Sequence, residues 1–172
     1  MVKKAEPLGG WLLFFFIIFI LGAAFALMGI FQTILYPFLA DNFFGSIYGK
    51  ETMPMLSTSW IVIQVLLLSA LLVLYIFIIV GIGKKKAWAK KLAIWTAWTA
   101  FVIVIVQQIM GYFAIPKTLE FYSNIGLEAM QQVAYQMYFF SLIFTPILSL
   151  AWAIIVTLYF VRSERVKKTL VL

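Results

Sequence analysis

The sequence predicts an all-α integral membrane protein: a four-transmembrane-helix bundle with the N-terminus and the C-terminus cytoplasmic. Three observations carry that reading. Of 172 residues, 65% are hydrophobic and 11% charged, whereas a soluble domain carries roughly 45–50% apolar and about 25% charged residues. The charges are also clustered, leaving four uncharged stretches at 7–40, 52–83, 92–116 and 129–161. Each exceeds the roughly 20 residues that cross a hydrocarbon core of about 30 Å. Finally, eleven of the 13 Lys and Arg fall on one side of these stretches, and that side is expected to face the cytoplasm.

Backbone groups in lipid must be satisfied internally, so each span is expected to be a helix. A β-barrel needs strands of about ten residues with alternating polarity, and runs such as 11–21 and 65–80 do not alternate. The helices are placed near 11–35, 57–82, 91–115 and 136–161, in a single membrane domain covering 1–172. The first begins with Lys3 and Lys4 and contains the triplet Ala24-Phe25-Ala26, as a signal peptide would. Its apolarity continues through Met28, Ile30, Phe31, Ile34 and Leu35, a length that anchors rather than releases the chain.

The connections differ in kind. Loop 83–91 is short and basic, with Lys84, Lys85, Lys86, Lys90 and Lys91, and it forces helices two and three to be antiparallel neighbours. The outer loops, 36–56 and 116–135, are rich in aromatic residues. Pro37, Gly45, Gly49 and Pro54 break the first. The second begins after Pro116, breaks near 124–126 and gives way to a helix from Leu127, with Glu128 favourably placed in its first turn. Glu164 and Lys168, four apart, suggest that helix four extends a turn or two beyond Arg162.

Composition also bounds the chemistry. Cys and His are absent, which removes disulfides, thiol nucleophiles and His-based zinc or haem ligation. No catalytic residue, metal ligand or cofactor is assigned. No Asp, Glu, Lys or Arg lies within the four cores, whereas proton relays and ion pathways usually carry an intramembrane ionisable group. The polar residues that remain are neutral. Gln64 lies in helix two, and Gln107 and Gln108 lie in helix three. Amides in hydrocarbon need partners, so these either lock helix two against helix three or form a polar substrate site near the outer half. Ser141, Thr145 and Ser149 share one face of helix four, where helix packing is their ordinary role. The small pairs Gly22/Ala26 and Ala93/Ala97 serve the same purpose elsewhere. Pro146 deletes one N–H and predicts a kink.

The two ends are the most specific part of the chain. The start reads Gly9-Gly10-Trp11-Leu12-Leu13-Phe14. The end reads Tyr159-Phe160, then Ser163, Arg165, Val166 and Thr169 in an S-x-R-V-x-x-T pattern. Together they resemble the domain of unknown function 2569 family of small four-span bacterial inner-membrane proteins; Leu170 stands where that family has Phe. The resemblance implies a multi-pass protein of the bacterial inner membrane and carries no activity. Physically, any Lys or Arg would set the orientation. A Ser followed by Arg is more definite, because the planar guanidinium fork fits a phosphate headgroup or the end of another helix. Arg165, helped by Ser163 and Arg162, is therefore expected to dock on the Gly9-Gly10-Trp11 entry of helix one.

The basic side, including Lys84, Lys85, Lys86 and Arg162, is expected to attract anionic lipid headgroups. A membrane protein partner or homo-oligomer is compatible with the pattern, and nucleic acid is not an expected partner. Three functions then compete. The first is a non-enzymatic accessory or partner-binding subunit. The second is a component of a small-solute transporter or channel, resting on the neutral polar residues. The third is a membrane enzyme using the outer carboxylates Asp41, Glu51, Glu120 and Glu128.

Overall fold

The computed structural model describes residues 8–39, 58–124 and 128–170. Their regular structure is helical: α1 (Trp11–Leu39), α2 (Thr58–Gly83), α3 (Trp88–Asn124), α4 (Glu128–Arg162) and a short α5 (Glu164–Thr169). Four stretches are long and apolar enough to cross a membrane: Trp11–Leu35, Ile61–Gly83, Trp88–Phe113 and Gln131–Arg162. The helices run up and down. One end gathers the start of α1, the α2–α3 turn and α5, together with Lys84–Lys86, Lys90, Lys91, Arg162, Arg165, Lys167 and Lys168. We call it the basic end and its opposite the far end.

The helices outrun the expected limits. α1 passes Pro37 to Leu39, and α3 passes Pro116 to Asn124. α4 then starts at Glu128, so the expected outer loop 116–135 is helical over 116–124 and 128–135. A proline deletes one hydrogen bond, but the helix on either side keeps its own, and Lys117, Leu119 and Glu120 are favourable in a helix. α4 likewise runs through Pro146. Most of the 36–56 loop, with Asp41 and Glu51, lies outside the described residues, as do residues 125–127.

The core sits at the basic end. Leu12, Phe15 and Phe19 of α1 meet Ile78 and Ile82 of α2, Ala89, Ala93 and Ala97 of α3, and Ala153, Val156 and Phe160 of α4. Rings join α1 to α4: Phe15 stacks on Tyr159 at 4.5 Å and meets Phe160 edge-on at 5.7 Å. Phe19 reaches both Phe160 and Tyr75. Each such pair adds about 0.5–1.5 kcal/mol beyond its buried area. The alanines of α3 present a small surface that admits these larger groups. Toward the far end from Ala26, Leu71, Ile103 and Ala153, none of the described residues is fully buried.

The α2–α3 turn is closed by backbone bonds. Lys86 N–H donates to the Gly81 carbonyl at 2.8 Å and Lys85 N–H to the Ile82 carbonyl at 3.0 Å. That is the Schellman pattern of a helix C-terminus. Lys85 takes the left-handed position with φ 55°, where Gly is usual, at a cost of about 1–2 kcal/mol. A Cβ on Gly81 would fall 2.7 Å from the Trp88 ring and 2.8 Å from Ala89 Cβ, so the turn needs glycine there for space.

Candidate functional site

Two places bring together the polar residues singled out above. The first is the clasp at the basic end. Helix four does not extend beyond Arg162. The chain leaves helical geometry at Ser163 (φ −64°, ψ 118°), whose Oγ accepts the Val166 N–H and caps a separate helix, α5. The bond is 3.4 Å long. Ser is a preferred N-cap, Glu164 stands in the first turn, and Lys167 and Lys168 stand in the last, all favourable to the helix dipole. The expected Glu164–Lys168 pair forms at 3.9 Å on the surface, where such pairs contribute little.

Capping turns the motif inward and outward at once. Val166, Thr169 and Leu170 are buried, and Val166 and Leu170 join the core cluster. Arg162, Arg165, Lys167 and Lys168 remain exposed. Arg165 reaches back to the entry of α1. A Cβ on Gly9 would lie 3.1 Å from its Nη2, and one on Gly10 2.8 Å from its Nη1. Gly10 also has φ +56° and its carbonyl accepts both Leu13 N–H and Phe14 N–H, so glycine is needed there for conformation and for space. Trp11 takes no part in this contact that the structure records. Its ring is exposed and sits edge-on to Phe14 at 5.4 Å. Lys84 and Lys86 are exposed beside the turn, and Lys85 is half-buried.

The hydroxyl of Thr169 is buried with no hydrogen-bond partner among the described residues, as is that of Thr96. The sequence offered no sign of these orphans, because a Thr at such positions usually finds a local carbonyl.

The second place is a collar of neutral polar groups in the far half. Gln108 was expected to face helix two. Instead its Nε2 donates to Ser141 Oγ of α4 at 3.3 Å, and its backbone carbonyl accepts from Tyr138 Oη at 3.0 Å. Ser141 Oγ and Thr145 Oγ1 are 3.3 Å apart and share a further bond. The structure thus unites Gln108, Ser141 and Thr145; Ser149 is half-buried one turn below, with no recorded bond. Among the described residues, neither Gln64 nor Gln107 has a hydrogen-bond partner.

The packing sets the register of this collar. Gly22 seats the Tyr75 ring and Gly29 seats Leu68, so seven residues up α1 match seven back along α2. Four more along each strand of that register pair Thr33 with Gln64. Gln64 stands nineteen residues before Gly83 and Gln107 nineteen after Trp88, roughly 28 Å up either helix at about 1.5 Å per residue. On the other pair, Gly111 meets Tyr138 three residues beyond the Gln108–Ser141 contact. Thr33, Gln64, Gln107, Gln108 and Ser141 therefore share one level, and all are half-buried. Thr33 and Tyr138 were missed in the sequence; the pairing of Thr33 with Gln64 follows from the seating of Tyr75 on Gly22 and Leu68 on Gly29, which counting from the helix ends does not give.

No family model, curated protein or solved structure matches this chain.

Proposed function

We propose that this chain is a non-enzymatic integral membrane protein acting as an accessory or partner-binding subunit. It sits in the bacterial inner membrane with both termini in the cytoplasm. The observation that carries the reading is the α5 clasp. Buried Val166 and Leu170 hold α5 to the core while Arg162, Lys167 and Lys168 project outward. A cationic face held to the core at the membrane boundary suits an acidic protein segment and anionic lipid headgroups, each juxtamembrane charge contributing about 1 kcal/mol near an anionic leaflet. The partition of Lys and Arg supports the orientation. The resemblance of both end motifs to the domain of unknown function 2569 family supports the location.

Affinity purification in mild detergent, with co-purifying proteins and lipids identified, tests this. The expected result is a stoichiometric protein partner that is lost when Arg162, Lys167 and Lys168 are all replaced by Gln. A chain that purifies without any partner, or whose partner ignores that replacement, contradicts the reading. A second copy of the chain as the partner would make the subunit homo-oligomeric.

A further inference from the structure

The collar goes beyond that reading. We infer that the far half of the bundle holds a binding site for a small neutral solute that both donates and accepts hydrogen bonds, built on the Gln64 and Gln107 amides.

Three observations converge on it. The first is position. On α2 the buried residues Ile82, Ile78 and Leu71 recur at helical spacing, and the stripe continues through Leu68, against Gly29, to Gln64. On α3 the stripe Ala89, Ala93, Thr96 and Ile103 continues to Gln107. Both amides thus occupy the inward faces of their helices, while Ile63 and Ile109 beside them face outward and are exposed. The second is packing. The same stripes are sealed at the basic end, where Ile78, Ile82, Ala89 and Ala93 are 0% exposed, but they are only half-buried at the collar. The collar level thus stands above a closed apolar floor. The third is unmet capacity. A Gln amide offers two donors and one acceptor oxygen, and leaving it unpaired at membrane depth is unfavourable. Gln108 is satisfied by α4, whereas Gln64 and Gln107 have no partner among the described residues.

The chemistry of the level selects the ligand. Residues 52–83, 92–116 and 129–161 carry no Asp, Glu, Lys, Arg or His, so an ion would shed its hydration with no countercharge to replace it. A neutral amide or polyol, in contrast, can exchange donor and acceptor bonds with a glutamine amide without any countercharge.

The test is saturation-transfer difference NMR on the full chain in lipid nanodiscs, with acetamide and glycerol as probes and acetate and methylammonium as charged counterparts of similar size. Acetamide and glycerol should show transfer well above the charged pair. Gln64→Met and Gln107→Met keep side-chain length and remove hydrogen bonding, so folding is retained. Each should cut the acetamide signal about fivefold, the value of one neutral hydrogen bond, with the melting temperature unchanged or raised. Gln108→Met, which removes a group already paired with Ser141, should cut it less. Equal transfer from acetamide and acetate would overturn the site, as would Gln64→Met and Gln107→Met variants that are folded and still bind like the parent.

Discussion

The two halves of this bundle are made from the same four helices and held together by different physics. At the basic end, Phe15, Phe19 and Phe160 interlock over the alanines of α3, and α5 closes the bottom. In the far half no described residue is fully buried beyond Ala26, Leu71 and Ile103, and the recorded ties there between α3 and α4 are the Gln108–Ser141 and Tyr138–Gln108 hydrogen bonds. Dense apolar contact gives one half a unique arrangement. Sparse polar contact leaves the other half with groups that can take a new partner. The contrast teaches that one bundle can concentrate its apolar packing at one end and its neutral polar groups toward the other.

Truncation should expose the contrast most strongly. Phe160→Ala deletes a side chain with 0% exposure, and such a change costs about 3–5 kcal/mol. Thermal unfolding in detergent should drop steeply. The same change at Phe140, stacked on Phe144 at 4.0 Å but 60% exposed, should cost less than about 1.5 kcal/mol, the most that one aromatic pair contributes. Equal losses at the two sites would break the comparison.

The clasp should come next. Gly10→Ala forces a left-handed residue to carry a Cβ and pushes that Cβ into the Arg165 guanidinium. The backbone part alone costs about 1–2 kcal/mol, and the displaced arginine adds to it. Arg165→Lys removes the fork without touching the backbone, so a smaller loss of melting temperature should follow. No loss at all from that variant would mean that Arg165 merely lies near α1. Thr169→Val works in the other direction. It replaces an orphaned buried hydroxyl by a methyl group, and chemical denaturation should show a gain of about 1 kcal/mol. A loss would show that the hydroxyl is paired in the membrane.

The smallest effect belongs to the far half. Gln108→Leu removes the bond to Ser141. Interhelical hydrogen bonds in membranes average about 0.6 kcal/mol, so unfolding should shift only slightly. A shift as large as that of Phe160→Ala would mean that the collar, not the aromatic cluster, organises the bundle.

Much of this was legible in the sequence. The charge gaps placed four helices, because a membrane penalises ions more heavily than any local propensity can offset. Ser163 followed by Glu164 was a readable N-cap, yet the Glu164–Lys168 spacing suggested an extended helix four instead. The docking of Arg165 on Gly9 and Gly10 was legible because a glycine pair and a forked side chain at one boundary are chemically specific. The partner of Gln108 was not. A glutamine's depth follows from counting, but its azimuth depends on where Gly22, Gly29 and Gly111 seat the neighbouring rings and methyl groups. Nor was the passage of α3 through Pro116 legible, since a lone proline ends some helices and only dents others.

The chain has no cysteine, so single-cysteine labelling in native membranes tests the central claim most directly. Gln64→Cys and Gln107→Cys place a thiol on the inward faces of the far half, and Ala93→Cys and Ala153→Cys place one on the inward faces of the basic half. A small water-soluble maleimide should label the first pair readily and the second pair only after denaturation. Equal labelling of all four, or labelling of Ala93→Cys and Ala153→Cys ahead of the glutamine positions, would contradict a bundle sealed at its basic end and open to polar ligands at the other.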